Sequence, residues 1–212
     1  MDRKTIAYYD LHADQLAAQY TMAEAGPFHL LLRRWLPPGG RVLEIGCGIG
    51  RESVFMAALG CKVVATDACE KMLTHAGQAV RSSSFLSAIT LQAAAFPAAP
   101  DNPLLKENFD AIVASAVIMH IPDAGLHAFI SQARGLLRDK GVFICSFCTS
   151  REVPEGDTRL FVIRPAAEVQ LFFEYAGFRL LHSEASPDSL ARNISWTTLV
   201  FSRPGHLRVG IL

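Results

Sequence analysis

Long apolar runs are missing from this chain of 212 residues. Half of it is hydrophobic, yet no stretch approaches the roughly 18 residues that a membrane-spanning helix needs. Neither charge is in excess: 20 Lys and Arg face 20 Asp and Glu, so there is no global attraction to nucleic acid or to anionic lipid. No basic stripe is interleaved with aromatics either; Arg33-Arg34 beside Trp35 is an isolated pair. Charged residues make up only 19%, which excludes a solvated disordered segment. Met1-Asp2-Arg3-Lys4 leads into a mixed stretch without an apolar secretory region, so a cytoplasmic location is expected. No His/Cys cluster has zinc spacing, and no metal is expected. The five cysteines (47, 61, 69, 145 and 148) are odd in number and irregular in spacing, which suits free thiols. Cys145 and Cys148 fall on an apolar run that reads as a strand, where positions three apart point to opposite faces; two core thiols are expected there.

What is present is an alternation of strands and helices, broken by a loop over Pro97 to Pro103. Residues 4–20 and 27–36 read as amphipathic helices, stopped by Pro37-Pro38-Gly39-Gly40. Strand signals follow at 41–45, 62–66, 89–93, 109–115 and 141–148, separated by helical patterns at 53–59, 70–80 and 122–137. A further helix runs to Tyr175, and 178–184 with 196–202 form a last strand pair. Strands alternating with helices predict a parallel sheet covered on both faces, and the final pair predicts an antiparallel edge. One domain is expected, with 1–36 as a helical cap, 41–148 as a ligand-binding core and 149–212 as substrate-side elements with the final hairpin.

The most informative stretch is Val42-Leu43-Glu44-Ile45-Gly46-Cys47-Gly48-Ile49-Gly50-Arg51. A glycine turn between the first strand and its helix lets a ligand approach the backbone. The spacing is G-x-G-x-G, and Arg51 stands where a dinucleotide-binding turn has its third glycine. Glu44, inside the strand, suits a cationic ligand better than a diphosphate. Asp67 ends the second strand, about 20 residues on, where an acid can take ribose hydroxyls. The pattern fits a nucleoside with a positive centre and no phosphates.

From Arg41 to Ser146 the chain resembles the class I S-adenosylmethionine-dependent methyltransferases, through VLEIGCGIGRESVFMAALGCKVVATDACEKML, FDAIVASAVIMHIPD and LLRDKGVFICSF. The resemblance implies an α/β, doubly wound (Rossmann-like) sheet of seven strands, mostly parallel with one antiparallel strand near an edge. It implies that Gly46, Cys47, Gly48 and Gly50 wrap the amino-acid part and ribose of S-adenosylmethionine. Glu44 then orients the loop and faces the sulfonium end, Asp67 holds the ribose diol, Ala68 and Met72 line the adenine pocket, and Ser115 lies at the end of the fourth strand. Where the family shows Asp-Ala after strand three, this chain has Gln92-Ala93, whose amide carbonyl can still accept from adenine.

Because a sulfonium methyl is already electrophilic, the protein must chiefly hold a nucleophile in line. His120, after strand four, is the candidate base or orienting group. Tyr8, Tyr9 and Tyr20 on the first helix, and Arg159 and Arg164 after strand five, are the candidate substrate contacts. The chain after strand four reads Ser115-Ala116-Val117-Ile118, without the Asn/Asp-Pro-Pro-aromatic of amino-methylating nucleic-acid enzymes, and no Pro-Cys nucleophile exists. The expectation is methyl transfer to an O, N or S nucleophile, with carbon a further option, on a small molecule. The rivals are a non-catalytic cofactor-binding sensor or accessory subunit and an NAD(P)-dependent oxidoreductase, the latter disfavoured by Arg51 and by the absence of Tyr-x-x-x-Lys. The apolar C-terminal strands offer a homodimer surface.

Overall fold

The computed structural model describes residues 2–190 and 192–205. Its seven-stranded sheet is built from β1 (Arg41–Ile45), β2 (Lys62–Asp67), β3 (Ile89–Ala93), β4 (Phe109–Ser115), β5 (Leu137–Ser150), β6 (Arg179–Pro187) and β7 (Ser195–Ser202). The order is β3-β2-β1-β4-β5-β7-β6, parallel except for β7, which pairs antiparallel with both β5 and β6. Six α-helices connect and cover it: α1 (Arg3–Met22), α2 (Gly26–Trp35), α3 (Arg51–Ala58), α4 (Glu70–Ser82), α5 (Asp123–Leu136) and α6 (Ala166–Tyr175). Fold class and the inserted antiparallel strand are as expected from the sequence.

The two-residue period of a strand explains the two cores. Leu43 and Ile45 of β1, Ile112 and Ala114 of β4, and Phe143 of β5 pack on one side, against Phe129 of α5 and Phe173 of α6. Their neighbours Val42, Ala111, Val113 and Ile144 pack on the other side with Leu32, Met56 and Ala76. Central strands buried on both faces therefore read as continuous apolar runs. All five cysteines are free and buried. Cys145 and Cys148 both enter the α5/α6-side cluster, although alternation alone expects them to diverge; the ladder register shifts between Cys148 and Ser150.

The order of the strands reverses beside β1, whose neighbours are β2 and β4. Ligands of open α/β sheets lie beyond the carboxyl ends of the strands at such a point. Among the described residues no helix is long and apolar enough to cross a membrane, and no group of His, Cys, Asp and Glu could hold a metal ion. The last seven residues of the expected 149–212 segment lie outside the described residues.

Candidate active site

A cleft opens above the carboxyl ends of β1, β2 and β4, roofed by α1. Its floor is the glycine turn. The Gly46 and Cys47 amides both donate to the Thr66 carbonyl, at 2.8 and 2.9 Å, which ties the turn to the end of β2. Gly46 (φ +73°) and Gly50 (φ +79°) are left-handed and packed: a Cβ on Gly46 would lie 2.6 Å from Val117 Cγ2, and one on Gly50 3.1 Å from Ala76. Gly48 (φ +53°) is different. A Cβ there would meet nothing within 4 Å, so its backbone is bare toward the cleft.

Asp67 holds this floor. Its Oδ2 accepts from the Gly48 amide and its Oδ1 from the Cys69 amide, both at 2.9 Å. Burial raises its pKa against the lowering effect of these amides. The helix-cap role belongs to Cys69, whose thiol sulfur accepts from the Met72 amide of α4. Glu44 lies beneath the turn, buried and accepting a hydrogen bond from Ser53. Burial, then the nearby Glu52, pushes its carboxyl well above the usual range. It does not line the cleft.

The wall above β4 carries His120, on a 3₁₀ turn over Ile118–His120. Its Nδ1 lies 2.7 Å from the Leu160 carbonyl, which can only accept, so Nδ1 carries the hydrogen and Nε2 a lone pair. Tyr9 Oη, 3.3 Å from Nε2, donates to it, and Tyr20 Oη donates to Tyr9 at 3.4 Å. Burial, with the Arg159 and Arg151 charges adding to it, pushes the imidazole down to about 4. This has a consequence for stability. Between pH 6.5 and 4 the unfolded chain binds a proton at this position that the folded chain refuses, so stability falls as pH falls through that window. The full difference is about 3 kcal/mol. Denaturant midpoints at pH 7 and pH 4.5 should therefore lie closer together in His120→Gln than in the native chain; an equal spread in both would contradict the assignment.

The remaining predicted residues divide. Gly46, Cys47, Gly48, Asp67, Ala68, Met72, Ser115, His120, Tyr9, Tyr20 and Arg159 all line the cleft. Tyr8 faces an outer cavity instead and packs on His12. Gln92 and Ala93 sit on β3, outside the cleft lining. Arg164 is also outside it: its guanidinium is 2% exposed, pairs with Asp123 at 2.6 Å, and donates to the Ile118 and Ile121 carbonyls. It clamps the turn that bears His120. Reasoning from the sequence missed Arg151, Phe161, Arg192 and Trp196 as lining residues, and gave Arg51 no place in the site. Arg51 donates to the Tyr20 and Ala23 carbonyls at 3.1 and 3.0 Å, fastening the end of α1 over the cleft. A second cavity of about 310 Å³ adjoins the cleft between the α1–α2 connection and β7, sharing Tyr20, Ser115 and Trp196 with it.

Comparison with known proteins agrees with this geometry. Residues 42–141 match the family model of a methyltransferase domain. An uncharacterized methyltransferase from Synechocystis is 29% identical over 108 residues, covering 51% of this chain and 47% of that protein. A ubiquinone biosynthesis O-methyltransferase from Cereibacter sphaeroides is 30% identical over 141 residues, covering 65% and 50%. The chain thus spans about half the length of the curated relatives it matches. Among solved structures, a 1,6-didemethyltoxoflavin-N1-methyltransferase from Burkholderia thailandensis, with that compound and S-adenosylhomocysteine bound, superposes with a TM-score of 0.74. It is 17% identical, with 94% of this chain and 88% of that one covered. The glycine turn, the acid closing β2 and the matched segment lead to one conclusion: residues 42–141 are a methyltransferase domain, similar to the class I S-adenosylmethionine-dependent enzymes.

Proposed function

We propose that the chain transfers a methyl group from S-adenosylmethionine to a protic nucleophile, a hydroxyl foremost, of a small molecule. One observation carries the reading: the bare Gly48 backbone, Asp67 and the unprotonated Nε2 of His120 open on one cleft beneath α1. The donor set fits the cofactor. Asp67 can accept from a ribose diol, Gly48 leaves room for a ligand against the main chain, and Ala68 and Met72 give an apolar wall for a base. Bound there, S-adenosylmethionine supplies an electrophilic methyl on a sulfonium sulfur.

The protein's own part is positioning and proton removal. Tyr9, Tyr20 and Phe161 hold a planar acceptor, and α1, fastened by Arg51 and by the Leu160 amide donating to Thr5 Oγ1 at 2.8 Å, keeps water out. An acceptor hydroxyl at Tyr9 Oη gives its proton to Tyr9 as Tyr9 passes its own to the lone pair of His120 Nε2. The cleft beneath α1 suits a small molecule, and we take residues 1–212 as one cytoplasmic methyltransferase domain. The 30% identical relative, named an O-methyltransferase, supports oxygen as the acceptor atom.

The test uses methyl-labelled cofactor with a panel of hydroxylated aromatic compounds. Label should move to the small molecules, and His120→Gln should lower kcat by about 10²- to 10⁴-fold with little change in KM for the cofactor. Label appearing on added protein or RNA instead, or an unchanged kcat in the variant, would overturn the proposal.

A further inference from the structure

The acceptor end of the cleft holds an uncompensated positive charge. Arg159 makes a two-point contact with Asp157, Nε to Oδ1 at 2.9 Å and Nη2 to Oδ2 at 2.6 Å. Arg151 reaches the same carboxylate only at 3.4 Å, and its Nε is buried without a hydrogen-bond partner. Two guanidiniums therefore share one carboxylate, with side chains only 10%, 9% and 3% exposed for Arg151, Arg159 and Asp157. The other cations of the cleft are balanced. Arg192 has its own two-point partner in Asp188, and Arg51 has Glu52.

Arg151 and Arg159 line both the cleft and the outer cavity beside it, whereas Asp157, Glu152 and Glu155 line only the outer one. The carboxylate they share thus lies on the outer side, and both guanidiniums reach the cleft without it. Both guanidiniums also flank the Phe161 ring, their Cζ atoms 3.9 and 5.1 Å from its centre, and Trp196 lines the same cleft. A desolvated cation of this kind is costly unless an anion completes it.

Resting on the methyl-transfer reading of the site, we infer that the acceptor is an aromatic carboxylate, its carboxylate held by Arg151 beside Arg159 and its ring lying against Phe161 and Trp196. One negative charge matches one excess positive charge, and a carboxylate matches the planar guanidinium fork. A dianionic phosphate would overshoot the balance.

The experiment is calorimetric titration of the chain, saturated with S-adenosylhomocysteine, with benzoate and 2-naphthoate and with their uncharged amides. The carboxylates should bind at least tenfold more tightly than the amides, and Arg151→Gln, its fold checked by circular dichroism, should bring the ratio near one. Amides binding as tightly as carboxylates, no binding of either, or a preference that survives in Arg151→Gln overturns the inference. The contrast in the unaltered chain stands alone should the variant not fold. A carboxylate preference in a chain that binds no S-adenosylhomocysteine would sink the methyl-transfer reading, and with it the acceptor role, leaving only a carboxylate site; S-adenosylhomocysteine binding without the carboxylate preference would sink this inference alone.

Discussion

Asp67→Ala is expected to lose at least two orders of magnitude in affinity for S-adenosylhomocysteine. The carboxylate has two tasks in one place. It accepts from the Gly48 and Cys69 amides, fixing the turn after β1 against the end of β2. It also lines the cleft, where we propose that its remaining lone pairs accept from the ribose diol. Hydrogen bonds to a charged group are each worth about 1.5–3 kcal/mol, and stranding the two amides adds a cost of about 1–3 kcal/mol. Roughly 3 kcal/mol of this in binding is a hundredfold. Asp67→Asn keeps the shape and one acceptor oxygen, so it should fall between the native chain and the alanine variant. Calorimetric titration of the three chains with S-adenosylhomocysteine measures the series. An alanine variant binding within threefold of the native chain would remove Asp67 from the site.

Gly46→Ala should cost the fold more than Gly48→Ala, although both residues are left-handed glycines of one turn. At Gly46 the new methyl meets Val117 Cγ2 at 2.6 Å, in a segment tied twice to the Thr66 carbonyl. The left-handed backbone costs about 1–2 kcal/mol, and overpacking a fixed neighbour adds about 1–3 kcal/mol. A loss of about 2–5 kcal/mol lowers Tm by roughly 5–20 °C in a chain of this size. At Gly48 only the backbone term applies, because the methyl enters open space. There the loss appears in ligand binding instead. Thermal unfolding without ligand, then titration with S-adenosylhomocysteine, separates the two effects. Equal melting of both variants would show that Val117 yields and that the packing argument fails.

The features that could be read from the chain are those set by local periodicity. Val42, Leu43 and Ile45 announce a strand buried on both faces, and the glycine turn and Asp67 follow from their distance to strand ends. Tyr9 and Tyr20 lie 11 residues apart, close to three full helical turns, so both face the cleft, where Tyr20 meets Tyr9 and Tyr9 meets His120, while the adjacent Tyr8 points elsewhere. Pairings across long separations could not be read. Arg164 resembles a loop arginine until Asp123, 41 residues earlier, is folded beside it. The reach of Arg151 and Arg192 into the cleft depends on where the connections around β5 and β7 cross the sheet, which no spacing encodes. The resemblance to the family pattern sets Gln92 at the adenine contact, whereas the β2–β3 register, with Thr66 opposite Gln92, leaves it outside the cleft lining.

The central claim is that the cleft between Gly48, Asp67 and His120 receives a sulfur nucleoside. Thermal unfolding of the unaltered chain with S-adenosylmethionine, S-adenosylhomocysteine and NADH tests it most directly. A ligand at about 100 times its dissociation constant adds about 2.7 kcal/mol, which raises Tm by several degrees. The account predicts that rise with both sulfur nucleosides and none with NADH; no rise with either, or a rise with NADH alone, would contradict it.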